Sequence, residues 1–157
     1  MKILLIALIA IVFAQIDEKW LYVGTTEKEN YYIDTTTIEK TPEKRGARIW
    51  VKTEPAEGFL SFIREEKKEL NKKFIHLDRQ GNEMWDYLGY DYYDHTLTLY
   101  QIDCTSRRIK AFSVIDYDFN GNVLRSESQE NGYSWEYVVP GSIGEKLYYT
   151  LCGKKKK

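Results

Sequence analysis

Chemistry in this chain would have to come from a small set of side chains. The best-spaced of them are Asp116, Asp118, Asn120 and Glu127, with Gly121 between the third and the fourth. They fit the calcium-loop pattern D-x-[DN]-x-[DN]-G-x5-E at every specified position. Such a loop needs oxygens at its first, third and fifth residues, a glycine for the bend and a bidentate carboxylate at the twelfth. The surroundings oppose it, because residues 112–115 read as strand and the Ser128–Gly132 stretch breaks a second helix. Hairpin turns favour the same residue types, so calcium is kept only as an alternative and no metal is expected. His76 and His95 are the only histidines and lack Cys/His ligand spacing, which argues against zinc. No serine sits in a G-x-S-x-G elbow and no carboxylate pair is singled out for acid–base work, so no catalytic residue and no cofactor are expected.

Binding chemistry is better represented. Between Trp85 and His95 the chain alternates rings with carboxylates, and Trp85, Tyr87, Tyr90, Tyr92 and Tyr93 are the candidate contact residues. Rings give rigid apolar area with a polar tip, which suits flat contacts with proteins or sugars. The competing reading places half of them in a core. The leader (below) carries one of the 23 basic residues; without it 22 face 24 acidic ones. A near-neutral balance argues against nucleic acid. The terminal Lys154–Lys157 run reads as a solvated, disordered tail.

These residues need a frame, and 13 tyrosines and four tryptophans with three prolines suggest a β-rich one. Trp20–Val23 opens a strand and Tyr31–Ile38 returns it as a hairpin. From Ala47 to Thr53 the alternation is clean, with Ala47, Ile49 and Val51 on one face and Arg48, Trp50 and Lys52 on the other. Leu60–Lys73 changes to helical spacing; Leu60, Ile63, Leu70 and Phe74 share a face, and Glu69–Lys73 is a supporting i,i+4 pair. Residues 74–85 and 112–124 each hold an Asp-x-x-Gly-Asn turn between apolar runs, with Gly81 and Gly121 at the positive-φ position. Long strands follow over Tyr92–Cys104 and Arg107–Asp116, then a return strand over Val123–Glu127.

The last ordered stretch runs from Trp135 through a turn at Pro140-Gly141 into a short helix ending at Cys152. Ser142 and Glu145 have capping-box spacing, with the glutamate reaching back to the cap amide. Ile143, Leu147 and Leu151 make its apolar stripe, Tyr148 flanks it, and Gly153 is placed to end it. Cys104 is the only intramolecular partner for Cys152. Closing a loop of about 49 residues contributes roughly 4 kcal/mol in the chain-entropy model.

The N-terminus reads as a secretory leader: Lys2, an unbroken apolar run from Ile3 to Ala14, and small-residue spacing before a cut at Gln15. The run is too short for a bilayer-spanning helix, which needs about 20 residues. No cysteine near the cut offers a lipid anchor. The expected organisation is a leader over 1–14, one domain over 15–153 and the tail over 154–157. Export is expected, to the periplasm, the medium or the cell surface, without a lipid anchor or stable membrane insertion.

With Asp103-Cys104-x-x-Arg107-Arg108, the Asp-x-x-Gly turn and Pro140-Gly-Ser-Ile-Gly-Glu145 leading to Cys152 in view, the chain resembles the surface-adhesin protein E family of Gram-negative bacteria. Trp20–Gly24, Tyr31–Asp34 and Arg48–Val51 resemble that family's opening strands. The resemblance is strongest over 99–153 and weakest over 54–92. It implies an α+β fold: an antiparallel sheet of about six strands with a C-terminal helix bolted to it by Cys104–Cys152. The middle helix adds to it. It also implies a non-enzymatic exported module that binds extracellular-matrix or envelope proteins. The alternative is a periplasmic accessory or inhibitor protein recognising another envelope protein.

Overall fold

A computed structural model describes residues 19–41, 45–77 and 79–153, without the side chains of 74–76 and 85. The expected leader and lysine tail lie outside the described residues, as does the His76 side chain. Strands β1 (Trp20–Thr25) and β2 (Glu29–Asp34) form the first hairpin, followed by β3 (Glu39–Lys40) and β4 (Gly46–Pro55). Helix α1 (Leu60–Asn71) leads into a second hairpin, β5 (Lys73–Leu77) and β6 (Glu83–Asp86). The long strands β7 (Tyr93–Asp103) and β8 (Arg108–Asp118) follow, then β9 (Val123–Ser128), β10 (Glu136–Tyr137) and α2 (Ile143–Cys152). The main sheet runs β1-β2-β4-β7-β8-β10, with β3 also on β4 and β9 also on β8; β5 and β6 pair separately. Every pairing is antiparallel. The main sheet thus has eight strands, the expected six or so plus short edge pieces.

Alternation in β2, β4 and β7 sends Ile33, Ile49, Val51 and Ile102 to one face, where each is at most 1 % exposed. Leu147 of α2 completes that cluster, with Ile143, Tyr148 and Leu151 packed beside it as the stripe predicts. Helix α1 lies on the same face further along, with Ile63, Tyr90 and Tyr93 in a second cluster. Both helices therefore cover one side of the sheet.

Four local expectations need correction. The second strand stops at Asp34 rather than Ile38. Its carboxylate accepts from the Thr36 amide at 3.0 Å and the Thr36 hydroxyl at 2.5 Å, capping a 3-10 turn over Thr35–Thr37. Helix α1 ends at Asn71, so Phe74 belongs to β5 and Lys73 cannot pair with Glu69; Lys72 does so instead. Of the described stripe residues Leu60, Ile63 and Leu70, only Ile63 is buried, while Leu70 is 75 % exposed. The cap glutamate Glu145 accepts from the Gly141 amide at 2.8 Å, one residue before the Ser142 cap; Ser142 Oγ itself accepts from the Glu145 amide as foreseen.

Candidate functional site

Why α1 turns a mixed face to the sheet is explained by what lies beneath it. One helical turn after Ile63, Lys67 donates to Asp116 Oδ1 at 2.8 Å and to Thr96 Oγ1 at 3.0 Å. The Tyr90 hydroxyl donates to Asp116 Oδ2 at 2.6 Å, Thr96 donates to Oδ1 at 2.5 Å, and Tyr93 bonds Thr96 at 2.9 Å. Arg64 Nε donates to the Tyr93 carbonyl at 2.9 Å. Asp116 is fully buried. Burial alone would raise its pKa, but the Lys67 ammonium and the Thr96 and Tyr90 hydroxyls outweigh that and hold it below the usual carboxylate range. Burial, with the Asp116 charge nearby, pushes both Tyr90 and Tyr93 far above the ordinary phenol value. This network fixes α1 to β7 and β8 and leaves no oxygen of Asp116 directed at solvent.

The calcium alternative fails on the same geometry. Asp118 accepts from the Asn120 and Asn122 amides at 2.9 and 2.8 Å, which makes it the turn residue of the β8–β9 hairpin. Glu127 pairs with Arg125 at 2.5 Å, which lowers its pKa. Asp116, Asp118, Asn120 and Glu127 therefore do not converge on one point, and no group of three or more His, Cys, Asp or Glu is placed to hold a metal among the described residues.

The aromatic segment divides. Tyr90 and Tyr93 are 0 % exposed and have no surface to offer a partner, a correction to the expected contact set. Tyr92 is 58 % exposed and meets Phe119 edge-on at 5.8 Å, and Tyr87 is 37 % exposed beneath the Lys68 ammonium. The Trp85 side chain lies outside the described residues.

Residues missed as candidates lie on the sheet face away from the helices. Register puts Trp50 beside Leu99, Lys52 beside Leu97 and Tyr32, and Leu97 beside Ile115. These are half-buried, whereas Ile33, Ile49, Val51 and Ile102 on the opposite face are buried. Cations cap the rings: Lys52 lies 5.2 Å from the Trp20 ring centre and 5.1 Å from Tyr32, and Arg48 lies 4.3 Å from Phe112. The Tyr32 phenol is raised by burial and then by Glu54, which is salt-bridged to Lys52 at 2.6 Å. The readable signal was the tryptophan at the outward position of an alternating strand.

The far end is clamped. Cys104, just past β7, is bonded to Cys152 at the end of α2, across 48 residues of sequence. Arg107 takes a left-handed φ of 55°, ion-pairs with Glu145 and lies over Tyr148 and Tyr149. Tyr148 donates to the Cys104 carbonyl at 3.1 Å.

Fold and surface together define a disulfide-clamped antiparallel sheet with both described helices on one side and none on the other. The family model for Surface-adhesin protein E matches residues 20–153, and the chain belongs to that family. Among solved structures it is similar to Haemophilus influenzae protein E (crystal form II), at 8 % identity and a TM-score of 0.45. That match covers 83 % of this chain and 91 % of that one. No curated protein matches. No helix among the described residues is long and apolar enough to cross a membrane.

Proposed function

We propose that the protein is an exported, non-enzymatic binding module that docks on extracellular or envelope proteins through its open sheet face. The observation that carries this reading is the contrast between the two faces. One carries the buried cluster Ile33, Ile49, Val51 and Ile102 beneath α1 and α2; the other has no described helix over it and presents Trp20, Tyr32, Trp50, Leu97, Leu99 and Ile115 half-buried, with Arg48 and Lys52 over the rings. Aromatic and arginine side chains are the types that dominate protein contacts, and cations over rings favour an acidic partner surface. Membership of the adhesin E family supports the binding role. Tyr87, beneath Lys68 of α1, and Tyr92, against Phe119, are exposed as well and offer a second candidate aromatic patch.

The test begins with cell fractionation, then binding of the purified chain to immobilised matrix and envelope proteins. Trp50→Ser with Lys52→Glu should abolish binding and leave the fold intact, and added salt should weaken it. Unchanged binding in that variant, with loss in Tyr87→Ala/Tyr92→Ala, would move the contact to the aromatic patch. Co-purification with an envelope enzyme, without affinity for matrix proteins, would favour the accessory or inhibitor role instead.

A further inference from the structure

The helix-covered face is not closed along its whole length. Between the first turn of α2, β10 and the sheet floor lies a cavity of about 320 Å³, lined by Tyr31, Tyr100, Ile109 and Glu136 among others. A second cavity of about 330 Å³ continues from it, sharing Tyr100, Ile109 and Glu136 and adding Tyr133. Each lies at the lower end of the size range of small-molecule sites, which are mostly apolar with a few convergent polar groups.

The composition of this cleft selects the sign of its ligand. Tyr100 and Tyr31 form an aromatic floor, and ring faces attract cations. Glu136 sits where the two cavities meet, and its carboxylate has no hydrogen bond or ion pair among the described residues. A second carboxylate, Glu29, accepts the Tyr31 hydroxyl at 2.8 Å. Burial, joined by Glu136 and Glu29, holds the Tyr100 phenol above its ordinary pKa, which agrees with a negative local field. The lysine that borders the second cavity is not paired with Glu136. Lys110 donates to the Asn131 carbonyl at 2.8 Å, with its ammonium 4.6 Å from the Phe112 and Trp135 ring centres.

We propose that the paired cavities at Tyr100 and Glu136 bind a small organic cation with an apolar body, of the alkylammonium class. The alkyl chain lies along Ile109 and the ring floor, and the ammonium group faces Glu136. The site is separate from the open sheet face, so it stands or falls independently of protein docking.

The experiment uses the mature chain with ¹³C-labelled tyrosine rings, titrated by NMR with hexyltrimethylammonium, hexanol and hexanoate. The ammonium probe should shift Tyr100 and Tyr31 saturably. Hexanol should bind at least fivefold more weakly and hexanoate not at all. Glu136 is exposed, so Glu136→Gln folds; it should weaken the ammonium probe at least fivefold and leave hexanol unchanged. Immobile Tyr100 and Tyr31 signals, equal binding of hexanoate, or an unaltered ammonium affinity in Glu136→Gln would each overturn the proposal. So would a lysine-bearing peptide that binds there tenfold more tightly than the free ammonium, since the site would then be a protein contact.

Discussion

Replacing Lys67 by methionine keeps most of the apolar stem and removes the ammonium from Asp116. At 2.8 Å and an effective dielectric near 20 the gross attraction is about 6 kcal/mol, most of it offset by the desolvation of both groups. Breaking one side of a buried pair costs about 3–5 kcal/mol, because the remaining charge is stranded. Here Thr96 and Tyr90 still bond the carboxylate, and the Lys67 side chain is 19 % exposed. The low end, about 3 kcal/mol at pH 7, is therefore expected, or roughly 9 °C in Tm for a domain of this size. The dependence on pH is the sharper signature. In the wild type the depressed Asp116 pKa contributes stability that is present above the unfolded carboxylate value and is lost as pH falls through the folded value. Without Lys67, burial is opposed only by the hydroxyls, the folded value rises, and acid relieves the stranded charge. The gap between wild type and Lys67→Met, read by urea unfolding at pH 7 and pH 3, should shrink to about 1 kcal/mol at the lower pH. A gap that is equal at both pH values, or below about 0.5 kcal/mol at pH 7, would refute the reasoning.

Cys152→Ser should lower stability by roughly 4 kcal/mol by chemical denaturation, and reduction of the wild type should match it. Tyr90→Ala, which empties a sealed core position, should cost about 3–5 kcal/mol, whereas Tyr92→Ala should stay within about 0.5 kcal/mol by thermal melting. Ser142→Ala removes the α2 cap and should cost about 1 kcal/mol by urea denaturation. Gly46→Ala places a Cβ 1.9 Å from the Ile102 carbonyl oxygen, and expression yield with melting should show a loss of about 2 kcal/mol or more.

Local signals carried most of the frame. The β4 alternation, the two glycine turns, the α2 stripe and its serine cap all stand where period and turn chemistry put them. What was not legible depended on partners distant in sequence. Nothing around Lys67 indicates a carboxylate 49 positions away, so apolar spacing alone chose Leu70 and Phe74 for the inward face of α1. Likewise Tyr90 to Tyr93 reads as one aromatic surface until a 3-10 turn at Tyr90–Tyr92 sends Tyr90 and Tyr93 inward and Tyr92 outward. The open sheet face was half visible: Arg48, Trp50 and Lys52 were assigned one side of β4, but only the topology shows that both helices choose the other.

The clamp at Cys104–Cys152 also sets how a load would travel through the molecule. Tension applied just beyond α2 enters the sheet directly at the end of β7, bypassing the helix. The chain from residue 105 to 151 is then a closed loop that cannot pay out, which withholds on the order of 160 Å of contour length from any extension. Strands β8, β9 and β10 and helix α2 are thus shielded, and rupture is directed to the seams between β7, β4, β2 and β1.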